Sequence, residues 1–199
     1  MKDSLVIATR NRDKFREIQE KLRALPLAVL SLADFPFVEE VIEDQPDLYG
    51  NAIKKANQVA QQTGLWALAD DTGLEVDALD GAPGVYSARY SGPGATYESN
   101  CVKLISEMEG IPAEKRQAQF RTVICLKTPD SLFCVEGKVE GNIGRERRGT
   151  KGFGYDPVFV LPSGRTMAEI DLEEKNRISH RGQAVEKMEK LLRFLLERD

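Results

Sequence analysis

Apolar positions along the chain follow two periods. Short runs at Leu5–Ala8 (LVIA), Leu27–Leu32 and Leu65–Ala69 are too brief for helices and read as buried strands. Between them the spacing changes to three and four. Phe15, Ile18, Leu22 and Leu25 predict a helix over 11–25, and Ala52, Ile53, Ala56, Val59 and Ala60 predict one over 51–63 with Gly64 as its stop. A stretch rich in acid and proline fills 34–47. A third helix is predicted over 97–108. Residues 118–127 and 132–139 alternate or run apolar with β-branched residues, and Thr128-Pro129-Asp130-Ser131 separates them, which predicts an antiparallel hairpin. Glycines punctuate 81–94 and 149–155, so both read as loops, the second followed by a strand over 157–161. Val185, Met188, Leu191, Leu192, Leu195 and Leu196 form the apolar stripe of a C-terminal helix, with Ser179 placed to cap it. No repeat, low-complexity tract or linker interrupts this order. The class is α/β, a long mixed sheet with helices around it, in a single domain over 1–199.

Composition narrows the function. The chain has 199 residues, of which 41% are hydrophobic, enough for one domain or one domain with a small lobe. Its net charge is −4 with no dense basic stripe, which argues against a nucleic-acid binder. No apolar run is long enough for a bilayer, and Met1, Lys2, Asp3 and Ser4 lead into the first strand without a signal-peptide layout, so no membrane role and a cytoplasmic location are expected. Cys101, Cys125 and Cys134 are odd in number and lack a C-x-x-C pair. That argues against a disulfide framework or a structural zinc and reads as three small buried apolar side chains. His180 is the single histidine, and no G-x-S-x-G elbow is present. The abundance of carboxylates, cations and glycines favours metal-assisted phosphate chemistry.

Four groups of residues could carry such chemistry. Thr9, Arg10, Asn11, Arg12, Asp13 and Lys14 join the first strand to the first helix, where backbone amides and the helix dipole attract phosphate; the alternative is an ordinary capped helix start. Asp70-Asp71-Thr72-Gly73 ends a strand, and paired carboxylates there suit Mg2+ or the orientation of a water; the alternative is an Asx-type turn. Composition does not choose among Glu39, Glu40, Glu43 and Asp44 for a further metal ligand. Gly152-Phe153-Gly154-Tyr155-Asp156-Pro157 could bring backbone close to a ligand and stack an aromatic ring on a base, or be a tight turn with a core ring. Lys175 with Ser179-His180-Arg181 could read keto oxygens, or be a solvated helix start. Arg89 is a weaker candidate.

Taken in order, these segments carry a resemblance. T-x-N-x-x-K at Thr9 to Lys14, N-A-x-x-K-A at Asn51 to Ala56, A-D-D-T-G-L at Ala69 to Leu74, G-A-P-G-V-Y-S-A-R-Y-S-G at Gly81 to Gly92, G-F-G-Y-D-P at Gly152 to Pro157 and E-K-N-x-I-S-H-R at Glu174 to Arg181 run through almost the whole chain. Together they resemble the inosine triphosphate pyrophosphatase family, the Ham1-like dITP/XTP pyrophosphatases. The resemblance implies an elongated mixed α/β protein with two lobes around a substrate cleft, a homodimer, and Mg2+-dependent hydrolysis of ITP, dITP and XTP to monophosphate and pyrophosphate. It implies that Thr9, Asn11 and Lys14, within the loop that also holds Arg10, Arg12 and Asp13, bind the triphosphate. Asp71 would be the catalytic carboxylate and a metal ligand, with Glu43 the second ligand. Thr72 would touch substrate, Phe153 would stack on the base beside Gly154, Tyr155 and Asp156, and Lys175, His180 and Arg181 would line the base pocket.

This chain departs from the family pattern at four places. Arg10 stands where a small residue is usual, Lys151 replaces a glycine, Thr72 replaces a serine, and Gly50 stands where a glutamate is frequent. Two other classes compete with the enzyme: a nucleotide-binding regulator without turnover, and a nucleic-acid module using the basic loops. Carboxylates beside phosphate gain a pure anion binder nothing, and the acidic balance disfavours the nucleic-acid module.

Overall fold

The computed structural model describes residues 4–197; Met1, Lys2 and Asp3, expected to lead into the first strand, lie outside the described residues. Strand β1 (Ser4–Ile7) is buried along most of its length. It pairs in parallel with β2 (Ala28–Ser31) and with the start of β3 (Trp66–Val76), so that Leu5 lies opposite both Val29 and Trp66. Parallel neighbours need crossovers. Helix α1 (Arg12–Leu22) supplies the first and α2 (Leu48–Thr63) the second. Gly64 takes a φ of 70° and its N–H bonds the Ala60 carbonyl, ending α2 as its position suggests.

Two expectations change along β3 and the following hairpin. The strand does not stop at Ala69 but runs through Asp70-Asp71-Thr72-Gly73 to Val76. The segment is buried through most of its length, so its peptide groups need ladder partners and cannot turn out to water. Strands β5 (Gln117–Lys127) and β6 (Leu132–Ile143) form the expected hairpin, closed where the Thr128 N–H donates to the Ser131 carbonyl at 3.0 Å. Cys125 and Cys134 lie directly across it, Cα to Cα 4.2 Å, and are joined as a disulfide. This corrects the expectation of three separate apolar cysteines: facing positions on neighbouring strands bring the two sulfurs within bonding reach. Cys101 stays a buried thiol, and burial pushes it up to about 11.

The sheet order is β2-β1-β3-β5-β6-β7, with the two-residue β4 (Pro83–Gly84) antiparallel on β3 and β7 (Phe159–Val160) antiparallel on β6. The strand β7 is shorter than 157–161: Pro157 has no N–H for the ladder, and the N–H groups of Val158 and Leu161 donate to the Tyr155 and Arg165 carbonyls in turns. Three further helices are α3 (Tyr97–Glu107), α4 (Leu172–Ile178) and α5 (His180–Leu196). The seven-residue α4 carries no apolar stripe and was not expected; Ser179 closes it, donating its N–H to the Lys175 carbonyl at 2.8 Å, immediately before α5 begins.

The chain forms two compact units. Among the described residues the first comprises 4–71, 122–137 and 180–197, the second 72–121 and 138–179. In the first, α1 packs on α5, and Leu5, Ile7, Ile18, Leu22, Leu68, Ile124, Met188 and Leu192 share a core. The core of the second gathers Leu74, Leu104, Met108, Phe120, Ile143, Tyr155, Phe159 and Met167. Fully burying a side chain of this size contributes about 1.5–3 kcal/mol, so each unit has an apolar centre of its own.

Candidate active site

In the first unit the loop after β1 is built around Asn11. Its side-chain oxygen caps α1, accepting from the N–H of Asp13 at 2.9 Å and of Lys14 at 3.2 Å, while Thr9 Oγ1 accepts from the Asn11 N–H at 3.2 Å. The cap engages two of the amides that helix geometry would otherwise offer to an anion. Arg10 is exposed and ties the loop down, donating to the Val38 carbonyl at 2.7 Å. A cavity of about 250 Å³ lies beside Thr9 to Arg12, walled by Phe15, Ser31 and Ala33.

Strand β3 supplies the carboxylates. Consecutive strand residues face opposite ways, so Asp70 and Asp71 meet different partners. Asp71 Oδ1 receives the Lys55 ammonium at 2.8 Å, and Asp71 Oδ2 receives the Asn51 amide at 3.3 Å. Asn51 and Lys55 are one turn apart on α2, where i and i+4 share a face. The same Lys55 Nζ is 2.8 Å from Glu43 Oε1. Among Glu39, Glu40, Glu43 and Asp44, the structure therefore brings Glu43 to Asp71 through Lys55. Burial would lower the Lys55 ammonium, but Asp71, Glu43 and Asp70 outweigh it and hold it up to about 12. Burial is also the largest influence on Asp71 and pushes its carboxyl up, against the pull of Lys55 and Lys14. The Lys55 charge is the firmer of the two states, because two carboxylates contact it and Asp70 adds to their attraction. Gly50 leaves no space for the frequent glutamate: a Cβ there would sit 2.7 Å from Gln45 Cβ.

Asp70, on the other face, takes the Lys14 ammonium at 2.9 Å and the Arg181 guanidinium at 3.4 Å. Arg181 also donates to Glu17 at 2.6 Å, and Lys14 and Glu17 sit on one face of α1. All but Lys14 are nearly inaccessible. Burial alone would raise the Asp70 carboxyl; Lys14, Arg181 and Lys55 outweigh it and hold it well below the usual carboxylate range. Burial lowers the Lys14 ammonium more than Asp70 raises it. His180 is buried at the start of α5 beside Arg181.

The remaining candidates belong to the second unit. Asp156 is buried and organises the glycine-rich loop: its Oδ2 accepts from the Phe153 N–H at 2.8 Å and from Lys175 Nζ at 2.6 Å. Position 152 requires glycine, since φ is 72° and a Cβ would lie 2.0 Å from that same oxygen. Lys175 Nζ also lies 4.6 Å from the Phe153 ring centroid, with the Tyr97 ring 5.7 Å away. Tyr155 is a core residue whose hydroxyl donates to the Ser87 carbonyl at 2.9 Å. Gly154 follows Phe153 in this turn and its carbonyl accepts from Cys101 Sγ at 3.3 Å. Thr72 is half-buried on β3, and Lys151 is exposed.

Sequence reasoning assigned no role to Lys55, Asn51, Glu17 or Tyr97. The signal for the first two was helical: Asn51 and Lys55 recur on one face of a helix that precedes an acidic strand. Glu17 is likewise one turn past Lys14. Among the described residues no group of three or more His, Cys, Asp or Glu could hold a metal. Two carboxylates converging on one ammonium nevertheless fit Mg2+, which needs one or two protein carboxylates and takes its other oxygens from water and substrate phosphate.

Comparison with known proteins gives one answer. A family model described as the Ham1 family matches residues 5–191. A curated dITP/XTP pyrophosphatase of Geobacter sulfurreducens is 55% identical over 183 residues, covering 91% of this chain and 92% of that protein. One of Desulforamulus reducens is 49% identical over 193 residues, covering 96% of each. Among solved structures, a HAM1 protein from Coxiella burnetii superposes with a TM-score of 0.87 at 44% identity, covering 95% of this chain and 98% of that one. The mixed sheet flanked by helices, the converging carboxylates and these matches lead to one conclusion: the chain belongs to the Ham1 family.

Proposed function

We propose that this chain is a nucleoside-triphosphate pyrophosphatase that hydrolyses non-standard purine nucleotides, dITP, XTP and ITP, to the monophosphate and pyrophosphate. Relatives named dITP/XTP pyrophosphatase support the activity. The observation that carries the chemistry is the convergence of Glu43 and Asp71 on a single cation, the Lys55 ammonium, each at 2.8 Å.

In this reading Glu43 and Asp71 would hold Mg2+, which when bound neutralises charge on the phosphates. Asp71 is also the group to orient the attacking water and take its proton. Asn51, fixed on Asp71 Oδ2, sets the direction of the free lone pairs. The loop from Thr9 to Lys14, Arg10, Arg12 and Asp13 included, binds the triphosphate, with Lys14 as its positive charge. Thr72 touches substrate. Phe153 supplies the stacking face for the base, and Gly154, Tyr155, Asp156 and Lys175 shape its surroundings, with His180 and Arg181 assigned to the keto groups. A purine with a 6-keto group accepts from such donors, whereas a 6-amino group leaves a donor unpaired at about 1–3 kcal/mol per buried group. The enzyme is assigned to the cytoplasm, where the nucleotide pool lies, and to a homodimer, for which light scattering should give twice the 22.2 kDa chain mass.

Product analysis tests the function. ITP incubated with the protein and Mg2+ should yield IMP and pyrophosphate, faster than ATP yields AMP and only with the metal. IDP with orthophosphate would overturn the cleavage site, and tight ITP binding without product would replace the enzyme with a non-catalytic nucleotide binder.

A further inference from the structure

Lys55 sits at the point where Glu43 and Asp71 converge. Its side chain is 9% exposed, and among the described residues its ammonium pairs with Glu43 Oε1 and Asp71 Oδ1, both at 2.8 Å. Mg2+ draws carboxylate oxygens to about 2.0–2.1 Å, so an ion at their convergence leaves no space there for an ammonium. Asp71 Oδ2 is engaged by Asn51, which leaves Oδ1, the oxygen Lys55 holds, as the one for a metal. The neighbouring Lys54 has a different role: it pairs with the exposed Asp44 at 2.8 Å.

We propose that Lys55 is a positioning residue that acts as a built-in substitute for the divalent cation, holding Glu43 and Asp71 together without metal and competing with metal for the same two oxygens. The inference rests on the reading of those carboxylates as the metal ligands. Its consequence is that the nucleotide-free protein binds divalent ions weakly. Two carboxylates held at one point repel each other unless a cation sits between them, so the lysine preserves the arrangement between turnovers. The long, unbranched Lys55 stem lets the head group leave without moving α2.

Mn2+ binding by the nucleotide-free protein, read from the electron paramagnetic resonance of free Mn2+, tests this directly. Lys55→Met should bind Mn2+ at least tenfold more tightly than the native chain, Lys55→Arg should stay as weak as the native chain, and Lys54→Met should change affinity by less than about twofold, since the Lys54 ammonium pairs with the exposed Asp44 and not with the two converging oxygens. Unchanged or weaker binding by Lys55→Met overturns the competition. Where Lys55→Met fails to give the native circular dichroism, Lys55→Gln replaces it with the same expectation. Adding Asp71→Asn to Lys55→Met separates the two readings. Loss of the gained affinity supports both, persistence of the gain overturns the metal-ligand reading, and Mn2+ binding that is sensitive to Asp71→Asn but unaffected by Lys55→Met overturns the lysine inference alone.

Discussion

At the scale of single residues, adjacent aspartates have been given separate tasks. Asp70 is enclosed by Lys14 and Arg181, and Asp71 by Lys55 and Asn51. Asp71→Asn should therefore lower kcat by at least about a thousandfold with the fold intact, and Asp70 should not restore it. Asp70 should show itself in stability instead. Its carboxyl is held below the ordinary value of 3.8, so the stabilisation is complete above that pH and is lost as pH falls through the lower folded value. Guanidinium midpoints measured from pH 5 down to pH 2 should fall more steeply for the native chain than for Asp70→Asn. Equal slopes would mean that the Lys14 and Arg181 contacts hold Asp70 no differently from the unfolded chain. Phe153 offers a third residue-scale check. If its ring stacks on the base, Phe153→Ala loses about 1–3 kcal/mol of binding, a tenfold or greater rise in KM for ITP, while hydrolysis of inorganic tripolyphosphate stays unchanged. A matching loss on tripolyphosphate would place Phe153 in the phosphate machinery instead.

At the scale of elements, the Cys125–Cys134 bond closes the hairpin of β5 and β6. A loop of this length contributes about 2–3 kcal/mol in the chain-entropy account, so Cys134→Ser should lose about 2 kcal/mol in chemical unfolding, and dithiothreitol should weaken the native chain but not the variant. Much of the fold was legible in the chain. The i, i+3, i+4 apolar stripes of α1, α2 and α5 and the LVIA run of β1 needed nothing beyond periodicity, and Gly64 marked the end of α2. Three features were less legible, each for a physical reason. Asp70-Asp71-Thr72-Gly73 has the composition of a turn, yet the segment is strand because its peptide groups are buried. Helix α4 is short and charged, so no stripe announces it. The cysteine pair did leave a signal: Cys125 precedes Thr128 by as many residues as Cys134 follows Ser131, which places the two opposite each other once the turn is known. The chemistry-bearing residues were legible as motifs, but their partnerships were not. Nothing in the local spacing of Glu43 distinguishes it from Glu39, Glu40 or Asp44. It is the reach of Lys55, on a helix folded against it, that does so.

At the scale of the whole molecule, charge sets the partners that long-range forces allow. With a net charge of −4 the chain gains no general attraction to a polyanion. Fluorescence anisotropy with duplex DNA should show no binding at physiological salt, and a steep loss of binding with added salt would contradict this. Among the described residues no helix is long and apolar enough to cross a membrane. The arrangement along β3 has a consequence for how such a protein can change over generations. The strand works like text in a fixed reading frame, anchored where Leu5 faces Trp66 and Ile7 faces Leu68. Exchange of one letter alters one contact. Loss of one letter between that anchor and Asp71 would deliver Asp71 to the place of Asp70, beside Lys14 and Arg181, and gain of one would deliver Asp70 to the place of Asp71, beside Lys55. Lineages that keep the activity are therefore free to drift in spelling along this stretch but not in length.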